Sequence, residues 1–233
     1  MSVQAATFSA KKLARFVSDE LQKRADPAKA TQMATYMKTD MPFYGVQRPD
    51  REPMLRAMHA HFVPHSFTEY ESGIASLWQL PHREEKYAAI EFAMRHRRHI
   101  TPEALPLYER LVREGAWWDL VDPVAASLVG RLLLQHRDRV DTVMDAWIED
   151  DDMWGRRAAL LAHLKHKGQT DERRLFAQCL SLAGEKEFFI RKAIGWVLRE
   201  YAKTAPEAVD AFLRAHSSVL SPLSVREASK HLR

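Results

Sequence analysis

FFIRKAIGWVLREYAK, residues 188–203, is the stretch on which the choice between helix and strand turns. Its apolar residues do not alternate. At about 100° per residue, Ile190, Ile194, Val197, Leu198 and Tyr201 gather on one broad side, the pattern of a helix laid on a core. On the opposite side Lys192, Trp196, Arg199 and Lys203 follow at i, i+4, i+7 and i+11. A tryptophan inside a basic stripe has two readings. It is either a half-buried surface aromatic beneath three solvated bases, or a platform on which bases meet phosphates and the indole meets a sugar or nucleobase.

Outward from Ala193 of this segment, short alanine-containing helix starts recur. EKYAAIEF carries Ala88, DPVAASLV Ala125, GRRAALLA Ala158 and VREASKHL Ala228, at spacings of 37, 33, 35 and 35. A stack of helical hairpins, each hiding its apolar face against its neighbours, produces such a period. The period is shorter than the roughly 40–47 residues of ordinary HEAT units, and no TPR consensus is present. With 8 glycines and few β-branched runs, the expectation is an all-α chain. Breaks are expected at 26–27, 48–53, 80–82, 101–106, 166–172, 183–186, 204–206 and 221–224, where proline or polar residues cluster. None is long enough for an interdomain linker. The expected architecture is one domain over 1–233, a curved, irregular α-solenoid of HEAT-like helical hairpin repeats with its concave face as the binding surface.

A hydrophobic content of 46% excludes disorder. The net charge of +4 leans toward an anionic partner, but 31 acids leave the decision to where the bases sit. No apolar stretch is long enough to span a bilayer, and MSVQAATFSAKKLARF lacks a secretory apolar run, so a cytoplasmic protein with no membrane partner is expected. The single cysteine, Cys179 in LFAQCLSL, reads as a small core residue. His59, His61 and His65 fall within seven positions and His96 stands near His99, yet no cysteine or carboxylate completes a zinc spacing, and no metal is expected. HRRH at 96–99 reads as a helix C-terminus.

Two further stretches carry chemistry. In EGAWWDLVD (114–122) adjacent tryptophans cannot share a helix face. Trp118 and Asp122, four apart, can; Trp117 is expected in the core with Tyr108, Leu111 and Val112. Asp122 followed by Pro123 spells an N-cap with proline at N1, a role that leaves one carboxylate oxygen free for a cleft. In WGRRAALLAHLK, Arg157 heads a stripe continued by Leu160, Leu161 and Leu164. It must find an acid, such as one of EDDD at 149–152, a backbone carbonyl, or a ligand phosphate.

MATYMKTDMPFYGVQRP (33–49), WWDLVD (117–122), MWGRRAALLAHLKHK (153–167), KEFFIRKAIGWVLREYAKT (186–204) and LSVREASKHL (223–232) closely resemble the bacterial AlkD-like DNA alkylation-repair glycosylases. The likeness runs from about residue 10 to the end. It implies a HEAT-like solenoid whose concave face is basic and cradles duplex DNA, and a monofunctional enzyme excising cationic N3- and N7-alkylated purines such as 3-methyladenine and 7-methylguanine. It places the site aspartate on Asp122, the site tryptophans on Trp118 and Trp196, and the site arginine on Arg157. Further DNA contacts fall on Lys165, Arg199 and Lys203, with Tyr36 and Gln47 lining the site from the N-terminal helices, while Lys192 belongs to the stripe described above. Pro123 departs from the pattern, standing where a non-proline residue is expected. No cofactor is implied, a monomer suffices, and no lysine at a matched catalytic position implies a Schiff base. The alternative is a non-catalytic HEAT-like paralogue that binds branched or damaged DNA; it has no need of the Trp118, Asp122 and Trp196 set.

Overall fold

Five helix starts are written plainly into the local sequence. Ser9 accepts from the Lys12 amide, Asp26 from Lys29, Ser66 from Glu69, Asp152 from Trp154 and Asp171 from Arg174, each capping the helix that follows. The structure is a computed structural model that describes residues 8–232. All its regular elements are helical, and no strand occurs among the described residues. Residues 1–7 of the stretch where no secretory leader was expected lie outside the described residues. No helix among the described residues is long and apolar enough to cross a membrane.

The chain divides into two compact units, Met1–Ile100 and Thr101–Arg233. The first holds α1 (Ala10–Gln22), α2 (Pro27–Met37), α3 (Arg48–His61), α4 (Phe67–Trp78) and α5 (Arg83–Arg95). Leu13, Val17 and Leu21, one helical repeat apart on α1, are wholly buried. RPDREP, expected to be a break, instead opens α3: Pro49 sits in its first turn, where a missing N–H breaks nothing, and Pro53 follows one turn on. The real break is the irregular segment 38–47. Two buried carboxylates of α5 hold it. Glu84 accepts from the amides of Tyr44, Gly45 and Val46 at 3.1, 2.9 and 3.0 Å. Glu85 accepts from the Tyr44 and Ser18 hydroxyls. Gly45 has φ +84°, and a Cβ there would lie 2.1 Å from the Asp26 carbonyl oxygen, so only glycine fits this approach.

The second unit begins with α6 (Leu105–Gly115) and α7 (Trp118–Pro123), then a π-helical segment (Val124–Val129) that runs straight into α8 (Gly130–Gln135). There follow α9 (Arg137–Ile148), α10 (Met153–Leu161), α11 (Glu172–Ser181), α12 (Phe188–Ala202), α13 (Pro206–Ala215) and α14 (Pro222–Ala228). The five periodic alanines, Ala88, Ala125, Ala158, Ala193 and Ala228, are all at most 1% exposed, as close packing of successive helices requires. On α12 the expected apolar side is sealed at Ile190, Ile194, Val197 and Leu198, while Tyr201 reaches out to donate to Glu172 at 2.9 Å. Cys179 is fully buried, which pushes its thiol pKa well up and keeps it inert. α5 ends at Arg95 and HRRH forms the turn after it. Among the described residues no group of three or more His, Cys, Asp or Glu is placed to hold a metal ion.

Candidate functional site

Asp122 does not cap a helix. The helix has already begun at Trp118: Trp117 is its extended N-cap residue, and the Trp117 carbonyl accepts from the amides of Leu120 and Val121 at 3.1 and 2.9 Å. Asp122 therefore sits inside the helix, and Pro123 sits one residue before the π-helical segment. Proline has no N–H to give to the carbonyl four residues back. The ladder widens immediately after that gap, a distortion found often at functional sites. The widened helix is anchored from below, where Gly130 allows the Ala162 carbonyl to pass within 2.4 Å of the place a Cβ would occupy. The His166 ring also lies 2.7 Å from the Gly130 carbonyl oxygen. Burial lowers the His166 pKa and that of its neighbour His163, the latter to about 4, so both rings are neutral at physiological pH.

Arg157 of α10 faces Asp122 fork to fork, Nε to Oδ1 and Nη2 to Oδ2, both at 2.8 Å. Its Nη1 donates to the Phe189 carbonyl at 2.6 Å, at the first turn of α12. Three elements, α7, α10 and α12, thus meet at one guanidinium. The acid expected from EDDD is employed elsewhere: Asp150 takes Arg113 at 2.6 Å and Asp152 caps α10. The Arg157 side chain is 5% exposed and that of Asp122 13%, so the pair is nearly sealed with the carboxylate as its open side. Burial raises the Asp122 pKa above its ordinary 3.8, and the hydrogen bonds and charge of Arg157 oppose that rise.

Trp117 was expected in the core with Tyr108, Leu111 and Val112, which are sealed. It is partly exposed and meets Trp154 at 5.9 Å and Phe189 at 5.4 Å between ring centroids. Trp154 and Phe189 complete the triangle at 5.1 Å, and Arg157 lies 5.7 Å over the Phe189 ring. The aromatic cluster meets the acid–arginine pair through Phe189. The sequence reading missed Phe189, although its position at the start of the α12 stretch was on view. Trp118, four residues before Asp122 on the same helix, is partly exposed, as is Trp196. Trp196 lies seven residues beyond Phe189, about 10 Å further along α12 at the usual helical rise.

Unlike Arg157, four other basic residues of this unit are engaged but still reach solvent. Lys165 donates to the Ser127 hydroxyl at 2.8 Å, Lys203 to Glu200 at 2.7 Å, and Lys192 and Arg199 both reach Glu227. In the first unit Tyr36, 76% exposed, and Gln47 line a cavity of ≈ 310 Å³ together with Met33, Met37, Phe43 and Tyr87.

The site is thus a nearly sealed acid–arginine pair backed by aromatic rings, in an all-helical protein whose neighbouring helices carry solvent-accessible bases and partly exposed indoles. The family model described as DNA alkylation repair enzyme matches residues 17–232, and the chain belongs to that family. It is similar to a solved structure titled "Predicted DNA alkylation repair enzyme from Enterococcus faecalis", with 32% identity and a TM-score of 0.78 over 89% of this chain and 96% of that one. No curated protein matches the chain.

Proposed function

We propose that the protein is a monofunctional DNA glycosylase that hydrolyses the N-glycosidic bond of cationic N3- and N7-alkylated purines in duplex DNA. The observation that carries this reading is the Asp122 carboxylate, held in the Arg157 fork, 13% exposed, and four residues from an accessible Trp118.

Ordinary glycoside hydrolysis uses a second carboxyl group to protonate the leaving group. An N3- or N7-alkylated purine already carries positive charge and departs neutral, so one carboxylate suffices. What the transition state needs is compensation for positive charge growing on the deoxyribose as the C1′–N bond stretches. Asp122 supplies it, and can hold the water that attacks C1′. Trp118 and Trp196 offer indole faces to the sugar and the cationic base, each contact contributing about 0.5–2 kcal/mol depending on desolvation. Arg157, expected from the resemblance to touch DNA, takes a different part in this reading: its donors are turned to Asp122 and the Phe189 carbonyl, and it keeps the carboxylate ionised against burial and fixed in direction. Lys165, Lys192, Arg199 and Lys203 hold backbone phosphates, and Tyr36 and Gln47 offer contacts from the first unit.

The test is release of 7-methylguanine and 3-methyladenine from methylated duplex DNA by the purified protein without added metal. Asp122→Asn should lose release by two orders of magnitude or more, on the scale of a lost transition-state charge contact, about 3 kcal/mol, while keeping duplex affinity. Neutral lesions such as uracil should not be released. Undiminished release by the variant removes Asp122 from the mechanism. Tight duplex binding by a wild-type protein that releases nothing makes the chain a non-catalytic DNA-binding relative instead.

A further inference from the structure

α12 and α14 approach closely at Gly195, where a Cβ would lie 2.5 Å from the Glu227 Cβ and 2.8 Å from the Ser224 carbonyl oxygen. The Ser224 hydroxyl donates to the Arg191 carbonyl at 2.9 Å and ties the same two helices one turn earlier. This contact carries Glu227 in beside the basic stripe of α12. Its side chain is 9% exposed and gathers three cations: Lys192 Nζ at 3.1 Å, Arg199 Nη1 at 2.6 Å, and Lys230 Nζ at 2.9 Å from each oxygen. The hydrogen bonds of Lys230 and Lys192 hold the Glu227 carboxyl ionised down to about 2.

Lys192 and Arg199 stand two turns apart on α12, and Trp196 lies between them on the same stripe. Three cations around one carboxylate leave an excess of two positive charges. Without the carboxylate, cations this close repel one another and their flexible stems swing apart into water. A carboxylate here reduces the attraction for DNA, so attraction alone does not account for it.

We propose that Glu227 is a positioning residue for base release: it fixes Lys192 and Arg199 at the spacing that seats a DNA backbone over Trp196. The inference rests on the glycosylase reading above. It makes position and charge separable. Glu227→Gln removes the negative charge, so duplex affinity rises and its salt dependence steepens by about one phosphate equivalent, while the loosened cations slow the chemical step. Glu227→Asp keeps the charge and withdraws the carboxylate by one methylene; affinity holds and release still slows.

The experiment measures duplex binding by anisotropy across salt concentrations, single-turnover release of 7-methylguanine at saturating enzyme, and thermal melting, for wild type, E227Q and E227D. Expected are tighter binding with about tenfold slower release in E227Q, and wild-type affinity with slowed release in E227D; displacement by an ångström readily reduces rates to this degree. Release at the wild-type rate in either variant overturns the inference. So does a joint fall of affinity, rate and melting temperature, which marks a residue that only supports the fold. A wild type that releases no base removes the glycosylase reading and this inference with it, whereas an active wild type with an indifferent E227Q removes this inference alone.

Discussion

Arg157 opposes the effect of burial on the acid it holds. Burial alone would keep Asp122 protonated well above its ordinary 3.8, and the guanidinium, with bonds of 2.8 Å to both oxygens, pulls the other way. Because burial prevails, the folded protein binds the Asp122 proton more tightly than the unfolded chain does. The stability associated with that proton is present below the ordinary value and is lost as pH rises through the folded one. Arg157→Ala leaves the burial and removes the opposition, so the acid limb of base release should move to higher pH. Single-turnover release measured across pH reads this directly; a limb that stays in place means Arg157 does not tune Asp122. At this scale the sequence was partly legible. That Trp118 and Asp122 stand four apart on one helix follows from spacing alone, as does the need of Arg157 for a partner. The identity of that partner, 35 residues away, does not, because acids nearer in sequence were equally available.

Among the elements, the well-read ones are those whose instructions are local. α12 follows from its apolar side, and α2 from Asp26 and Pro27. The misread ones depend on what a proline does in a particular surrounding. Asp122 and Pro123 look like a helix start, yet the helix begins at Trp118 and the lost N–H is absorbed by the π-helical turn that follows. RPDREP looks like a break, yet its two prolines sit near the start of α3, and the chain bends at 38–47, where Glu84 supplies acceptors from 38 to 40 residues away. Glu84→Ala should therefore leave the amides of Tyr44, Gly45 and Val46 without an acceptor. At about 1–3 kcal/mol for each stranded donor, the loss of stability should reach about 3 kcal/mol or more. Denaturant unfolding measures it. A loss below about 1 kcal/mol would mean that water reaches these amides and that Glu84 is not what shapes the segment leading to Gln47.

For the molecule as a whole, a net charge of +4 is modest, since 35 lysines and arginines are set against 31 acids. Attraction for DNA must then come from where the bases stand. Lys165, Lys192, Arg199 and Lys203 are candidates in the second unit; Arg157 is not, because its charge is spent on Asp122. If each of the four neutralises one phosphate, log affinity falls against log salt with a slope of about −3 to −4. A fourfold rise in salt then weakens duplex binding by about 100-fold. Contacts to phosphate carry no sequence information, so methylated and unmethylated duplexes should bind alike, with selection of damage left to the rate at which a cationic base departs. Anisotropy titrations of both duplexes over a range of salt test the two statements together. A slope near zero would place the DNA grip elsewhere than on these bases. A strong preference for the methylated duplex in binding would mean that the damaged base is recognised before the bond begins to break, and that the indole faces act on the ground state as well.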